Sequence, residues 1–594
     1  MDNMKKNLSN DKVISNLFFR LLPAQILLIA IPGLNGIISS LFGSNMLGPD
    51  AVSAIGMYSP VLQFMVSIGT MMMGGSQILC GKYMGSNQMN RTQDVFMLDI
   101  TCITILSVVS ALLFAFAGMF DLTGFLSSDA AIRALFNKYL IGIAIGIVPM
   151  MIGNQLSAFL SMEMQGNRST IATLLFVVTN FILTFLFLNV FKLGIFGLAL
   201  ASSIGYWVYL IAQASYYFSG KSLMKFKVSK FRLSDIWEII VIGFPGAVTS
   251  IYLTVRRFVL NGLILQNAGS VGLSAYSAAD TLLGIFWAVP LGMAAVARIL
   301  MSVSIGEEDR QTLKNIVKTM LTRCMVLVTA MVVVLILCAV PLTRLYYRDV
   351  ANPVYGLTIT AFRLLPICMP LGLVCMTAVQ YGQVSKKQLL VHSLSMIDGM
   401  LCPCLFGILL VPVMGMNGIY AALIINGIVT VIYPYLFSVA VNKKLPKNFD
   451  ELLMIPDEFG APEDARLDIS LNSMDEVVNI SEQIQAFCTA RGLDARRSYL
   501  SGLFLEEMAG NIVEYGVKQD RKKHSIDVRV VHKNDDIILR IKDDCAPFDP
   551  VEQAKLVSDN EDIMKNVGIR MVYKIARDIN YQNILGLNVL TIRI

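Results

Sequence analysis

The sequence predicts a polytopic α-helical membrane protein with a folded α/β domain at its C-terminal end. Three observations point there. Only 15% of the 594 residues are charged, against ~25% in soluble domains, and the mean hydropathy is +0.63. About twelve apolar runs before residue 442 are long enough to cross a bilayer. After residue 442 the apolar runs give way to a charged, Pro-containing linker and then to strand and helix patterns. The net charge of +6 is small for this length and does not point to nucleic acid as a partner. The ten cysteines lie mostly in apolar runs and read as small buried apolar residues. The polar start "MDNMKKNLSNDK" and the long first apolar run are unlike a cleavable signal peptide.

The runs centre near Leu28, Met65, Leu106, Ile147, Phe181 and Ile204, then near Leu253, Phe286, Val332, Pro366, Met400 and Ile428. They form two sets of six, and the two sets are related. Residues Met46–Gly85 recur in degraded form around 267–306: Ala54 aligns with Ala275 and Gly85 with Gly306, both 221 residues apart. The expected architecture is therefore two six-helix lobes in parallel repeat. Residues 1–218 form the N-terminal lobe, 219–233 the inter-lobe loop, 234–441 the C-terminal lobe, 442–466 the linker and 467–594 the terminal domain. Basic residues concentrate in alternate loops, including Lys221, Lys225, Lys227, Lys230 and Arg232. By the positive-inside rule both termini and the inter-lobe loop are cytoplasmic, in a multi-pass protein of the inner (plasma) membrane.

Charges inside the apolar runs mark candidate pathway residues, because each costs at least ~2.5–3.5 kcal/mol at mid-bilayer unless it faces a cavity or a partner. Arg256 and Arg257 lie mid-way along the seventh run, and Arg256 is the repeat partner of Asn35. Asp280, Asp398, Asp99, Arg298 and Arg363 are the others. Two adjacent guanidiniums favour an anionic or zwitterionic cargo. Met71-Met72-Met73 reads as lobe packing.

Residues from about 15 to 442 resemble a MATE (multidrug and toxic compound extrusion) transporter. The likeness rests on "LLPAQ…LNGIISSLFGSNMLGPDAVSAIG", on the two six-helix halves and on "EMQGNR" at Glu163–Arg168. It implies alternating access and export of a small molecule against a Na⁺ or H⁺ gradient. The family's Asn-Leu-x-Asp frame in the first helix reads Asn35-Gly36-Ile37-Ile38 here, and its Asn-x-x-x-Asp in the fifth ends in Thr184 after Asn180. The family's N-lobe cation site thus lacks both carboxylates, which a hard cation or a carried proton needs.

In the terminal domain, "SMDEVVNISEQIQAFCTARG" predicts a helix capped by Ser473 or Asp475, and "RRSYLSGLFLEEMAGNIVEYGV" a second. "SIDVRVVHK" and "DIILRIKD" alternate as half-buried strands. "IMKNVGIRMVYKIARDI" predicts a third helix and "NVLTIRI" a closing strand. Glu507 and Asn511 share one helix face at i and i+4. The carboxamide can hold Mg²⁺ and the Glu can polarise a nucleophile. Asp543 ends a strand, where its carboxylate can accept the amine proton of adenine, and Gly568 allows a phosphate to approach a helix N-terminus.

In this order the motifs resemble the GHKL (Bergerat-type) ATPases, in their anti-sigma-factor serine-kinase branch. "EEMAGNIVEYG" looks like the N box, with Glu507 as base and Asn511 as Mg²⁺ ligand. "DDCAPFDP" looks like the adenine motif, with Asp543 and Asp544 as nucleotide contacts and Cys545 in place of Gly. "NVGI" keeps Gly568, while Asn566 replaces the first Gly. The resemblance implies ATP and Mg²⁺ as cofactors and an anti-sigma-antagonist-like protein as cytoplasmic partner. Two functions follow. One is a secondary exporter with a nucleotide-binding regulatory domain. The other is a membrane-anchored serine kinase or partner-switching sensor whose transporter body detects a ligand. No Walker A motif accompanies either, which argues against ATP-driven pumping of the ABC kind.

Overall fold

The computed structural model describes residues 2–42, 46–47, 49–125, 130–227, 232–347, 349–461, 465–471, 474–516, 524, 526–533, 536–545, 549 and 567–594. The Ser473 cap, Lys230 and Asn566 lie outside the described residues. The chain divides into two compact units. One holds Phe18–Ile305 and Ile316–Met454; the other holds Met1–Leu17, Gly306–Asn315 and Ile455–Ile594.

The larger unit is all helix. Its first half comprises α1 (Asp2–Phe42), α2 (Pro49–Gly85), α3 (Met89–Met119), α4 (Ala130–Met162), α5 (Gly166–Asn189) and α6 (Gly194–Tyr217). Its second half begins with α7 (Leu233–Gly306) and ends with α9 (Met416–Asn442); α8 (Arg310–Thr319) belongs to the smaller unit as far as Asn315, as does α1 as far as Leu17. Among the described residues, eleven helices are long and apolar enough to cross a membrane, against the twelve expected. The difference lies in α7. Its apolar stretch runs 73 residues, or roughly 110 Å at 1.5 Å per residue, over three times a bilayer core. Gly269 breaks it with a non-helical φ of 61° and ψ of −165°, a conformation that glycine adopts without a Cβ penalty.

The duplication read from sequence has a structural counterpart. Arg298 Nη2 donates to Gln77 Oε1 at 2.6 Å, between positions 221 apart. One turn on, a Cβ at Gly81 would collide with the Ser302 hydroxyl, and these positions are again 221 apart. The equivalent helices of the two repeats therefore touch at equivalent residues. Beside this crossing the backbones close in. A Cβ at Gly75 would strike the Ile239 carbonyl, and one at Gly243 would strike that of Met71. The Met71 backbone belongs to this packing.

The "EMQGNR" turn has an anchoring role. Glu163 accepts from the Tyr216 hydroxyl at 2.9 Å, the Ser222 hydroxyl at 2.7 Å, and the N–H groups of Leu223 (3.0 Å) and Met224 (3.1 Å). One carboxylate thus pins the start of the inter-lobe loop. Residues 448–454 are anchored as well. Asn448 caps a short helix, Phe449–Leu452. The Leu453 and Met454 carbonyls accept from the Tyr381 hydroxyl and from Lys387 Nζ, each at 2.7 Å.

The smaller unit carries an antiparallel five-stranded sheet in the order β1-β2-β3-β5-β4. The strands are β1 (Arg466–Leu471), β2 (Ile526–Lys533), β3 (Asp536–Asp543), β4 (Asp578–Ile584) and β5 (Leu587–Arg593). Helices α10 (Met474–Ala490), α11 (Ala495–Asn511) and α12 (Val567–Ile575) belong to the same unit. Alternation sends Val528, Val530, Leu539, Ile541 and Ile592 into one core with Ile484, Phe504, Leu505 and Val572. Two strands, β1 and β4, went unpredicted, and the third predicted helix is shorter than its apolar pattern: its last predicted residues, Asp578 and Ile579, open β4.

Candidate functional site

The terminal-domain site gathers at one end of β3. Alternation along β3 turns Asp543 to the helix-covered face, where it is 4% exposed. Its Oδ1 accepts from Asn588 Nδ2 at 2.7 Å and from the Cys545 N–H at 3.0 Å. Burial pushes the Asp543 carboxyl up from its ordinary range, and those two donors oppose the shift. Asn588 is in turn held by the Tyr581 hydroxyl (2.7 Å), by Asn583 Nδ2 (3.0 Å) and through its own bond to the Cys545 carbonyl (3.1 Å). Asn588 is not legible in the sequence, because one Asn inside a strand pattern has no periodic signature.

Glu507 and Asn511 lie together on α11, as their spacing predicts. Asn511 Nδ2 donates to the Glu507 carbonyl at 2.6 Å, which leaves the carboxamide oxygen as the atom suited to a hard cation. Gly568 opens α12, and a Cβ there would collide with the Glu507 carboxylate. The expectation at Gly568 was room for a phosphate. In this structure the space is taken by Glu507, so the glycine brings the two motifs into contact. The expected contact residue Asp544 is exposed, with its Oδ1 3.2 Å from His524 Nδ1. His524, Asp544 and Cys545 bring possible metal-ligand atoms within 4.8 Å of one another. Asp544 and Cys545 are neighbours in sequence, and the fold brings His524, twenty residues earlier, beside them.

In the membrane unit, Asn35 and Asn180 meet. Asn180 Nδ2 donates to Asn35 Oδ1 at 2.8 Å. The Ser202 hydroxyl reaches Asn35 Oδ1 at 3.1 Å and Asn180 Oδ1 at 3.3 Å, and the Thr184 hydroxyl reaches Asn180 Oδ1 at 3.3 Å. All four residues are buried. Asn35, Asn180 and Thr184 thus belong to a neutral hydrogen-bonded network, in which sequence reasoning missed Ser202. The C-terminal lobe carries charges of both signs. Arg257 Nη2 lies 3.8 Å from Asp280 Oδ2, with both side chains well exposed. Asp398 Oδ1 accepts from Asn426 Nδ2 at 2.8 Å, beside a π-helical turn at Ile397–Leu401. Arg256 is half-buried. Asp99 is fully buried and accepts from the Ser76 hydroxyl at 2.7 Å.

The MatE family profile matches residues 25–186 and 245–402, together more than half of the chain. The chain belongs to the MatE family. A histidine kinase-like ATPase domain profile matches residues 472–594. Proteins described as "Probable multidrug resistance protein NorM" are similar to the MatE part. Those of Bacillus thuringiensis subsp. konkukian and Bacillus anthracis are each 25% identical over 221 residues, covering 35% of this chain and 49% of theirs. That of Halalkalibacterium halodurans is 22% identical over 232 residues, covering 38% and 50%. The chain spans about half the length of these curated relatives. Two solved structures share the fold at 18% identity, each covered over 97% of its length and covering 73% of this chain. One is the outward-facing conformation of a multidrug resistance MATE family transporter of the MOP superfamily, with a TM-score of 0.67. The other is a MOP superfamily transporter from Pyrococcus furiosus described by the reverse polarity of its binding pocket, with a TM-score of 0.66. The likeness shows a MATE-fold, multi-pass membrane body, with the ATPase-type domain appended.

Proposed function

We propose that the protein is a secondary exporter of small molecules, working by alternating access on a Na⁺ or H⁺ gradient, whose cytoplasmic C-terminal domain binds ATP and regulates it. The observation that carries this reading is the pairing on one chain of a MATE-fold body, matched in both halves, with an ATPase-type domain in which Asp543 is buried and oriented. The printed description of the NorM relatives, multidrug resistance, supports export as the direction.

The N-lobe network of Asn35, Asn180, Thr184 and Ser202 holds no carboxylate, so its oxygens position helices or cargo and carry no proton. Coupling falls to the C-lobe carboxylates, with Asp398 beside Asn426 and Asp280 beside Arg257. Arg256 and Arg257 favour an anionic or zwitterionic cargo. A pocket of inverted charge has a parallel in the printed description of the Pyrococcus furiosus transporter.

In the C-terminal domain the donor set fits a Mg-nucleotide. Asp543 would accept the adenine amine proton, the Asn511 carboxamide oxygen would hold Mg²⁺, and Gly568 would admit the phosphates once Glu507 moves from it. Bound ATP supplies a transferable phosphoryl group, and Glu507 would orient the acceptor and take its proton. A protein acceptor of the anti-sigma-antagonist kind is the partner this chemistry implies.

Calorimetric titration of the full chain in detergent with ATP·Mg²⁺ tests the regulatory half. Saturable binding that Asp543→Ala abolishes is expected. Equal binding by both proteins overturns it. Uptake of an organic anion by proteoliposomes under an imposed gradient tests the pathway. Arg256→Ala and Arg257→Ala are expected to slow it, and unchanged transport counts against the cargo class.

A further inference from the structure

The segment Gly306–Asn315 joins two apolar stretches of the membrane body in sequence, Ser234–Gly306 and Arg310–Leu337. It nevertheless belongs to the compact unit of the C-terminal sheet. Alternation along β1, β2 and β3 explains why. The residues that do not enter the apolar core include Asp468, Asp527, Arg529, Arg540 and Lys542, so the sheet's second face is rich in charge. Glu307, Glu308 and Asp309 meet that face one by one. Arg529 Nη1 lies 2.5 Å from Asp309 Oδ2, and its Nε bonds Asp468 Oδ1 at 2.5 Å. Lys542 Nζ is 2.5 Å from Glu307 Oε2 and 3.7 Å from Asp309 Oδ2. Arg540 donates to the Glu307 carbonyl at 3.2 Å, and Lys533 Nζ lies 2.6 Å from Glu308 Oε2. Arg310 donates to the carbonyls of Phe459 (3.0 Å), Pro456 and Asp457 (3.2 Å).

This is a built contact. The Asp309 side chain is 2% exposed and that of Arg529 15%. Asp309 also accepts from the Thr312 N–H and hydroxyl, each at 2.8 Å, capping α8. Burial alone would raise the Asp309 carboxyl, but Arg529, Lys542 and these hydrogen bonds outweigh it and hold the group far below the usual range. Taking such charges out of water is costly, so the pairing requires close partners of opposite sign.

Both ends of this segment lead to working parts. Ser302, about one turn before Glu307, packs against Gly81, and Arg298 bonds Gln77, where the two repeats cross. On the sheet side, Lys542 grips Glu307 while Asp543, the next residue of β3, faces the nucleotide site. Consecutive residues of one strand thus address the acidic segment and the base.

We propose that the charged face of the sheet is a docking surface for Glu307–Asp309, and that this segment carries the nucleotide state of the C-terminal domain to the lobe crossing at Gln77–Arg298. The inference rests on the reading that the domain binds ATP. Hydrogen–deuterium exchange of the full chain in nanodiscs, with and without ATP·Mg²⁺, tests it. In the wild type, ATP is expected to protect the peptide 503–516 and to change exchange in 300–315 and 74–86 by about fivefold or more. Arg529→Glu keeps the protection at 503–516 and loses the change at 74–86, and the charge swap Asp309→Arg with Arg529→Glu restores it. Arg529→Lys, which keeps the charge but not the two-pronged bond, gives a reduced response if Arg529→Glu fails to fold. A full response at 74–86 in Arg529→Glu overturns the proposal, as does a wild-type response confined to 503–516. No protection at 503–516 in the wild type removes it together with the nucleotide reading.

Discussion

At the scale of single residues, Asp543 makes the sharpest claim. The form that would receive adenine is the carboxylate, and burial raises this group above an ordinary Asp. Acid therefore protonates it sooner. ATP affinity should fall on acidification at a higher pH than an exposed Asp would dictate, and calorimetry across pH checks this. Asn588→Leu removes a donor that opposes the rise, so the midpoint should move higher still. Asp543→Asn should weaken ATP by about 10- to 150-fold, the worth of a charged hydrogen bond of roughly 1.5–3 kcal/mol. Sequence placed Asp543, Glu507 and Asn511 because short motifs carry them. Asn588 and Ser202 were invisible, since their roles come from long-range contacts, 45 residues from Asp543 in one case and 167 from Asn35 in the other.

At the scale of elements, packing and charge decide. Gly75 meets the Ile239 backbone with no room for a Cβ, so Gly75→Val should cost ~1–3 kcal/mol by overpacking, read as a lowered Tm. Breaking a buried pair from one side costs more. Asp309→Ala should destabilise its unit by about 3 kcal/mol, the low end for one-sided loss of a buried pair, because Arg529 keeps Asp468 and Lys542 keeps Glu307, and denaturant unfolding of the full chain with a probe in that unit measures it. The spans were legible because twenty apolar residues have few alternatives to a membrane helix. β1 and β4 were not. β1 mixes Arg466 and Asp468 into a short strand, and β4 follows α12 without a Gly or Pro to mark the boundary. The charged sheet face looked like an ordinary solvated surface, because its acidic partner lies more than 200 residues away.

At the scale of the whole molecule, the repeat organises the transporter, and on the proposed reading the appended domain gives it a second input. The two lobes share an architecture and differ in chemistry. One holds a neutral network at Asn35 and Asn180, the other the charges at Arg257, Asp280 and Asp398. That division was legible from the 221-residue offset alone, whereas the meeting of Gln77 with Arg298 needed the fold. The central claim is that a gradient drives transport and ATP adjusts it. Flux of an organic anion in proteoliposomes, measured with and without an imposed Na⁺ or H⁺ gradient and with and without ATP·Mg²⁺ on the side of the C-terminal domain, tests this most directly. The account predicts flux only with a gradient, at a rate that ATP changes in the wild type and leaves unchanged in Asp543→Ala. Flux driven by ATP in the absence of any gradient would contradict it.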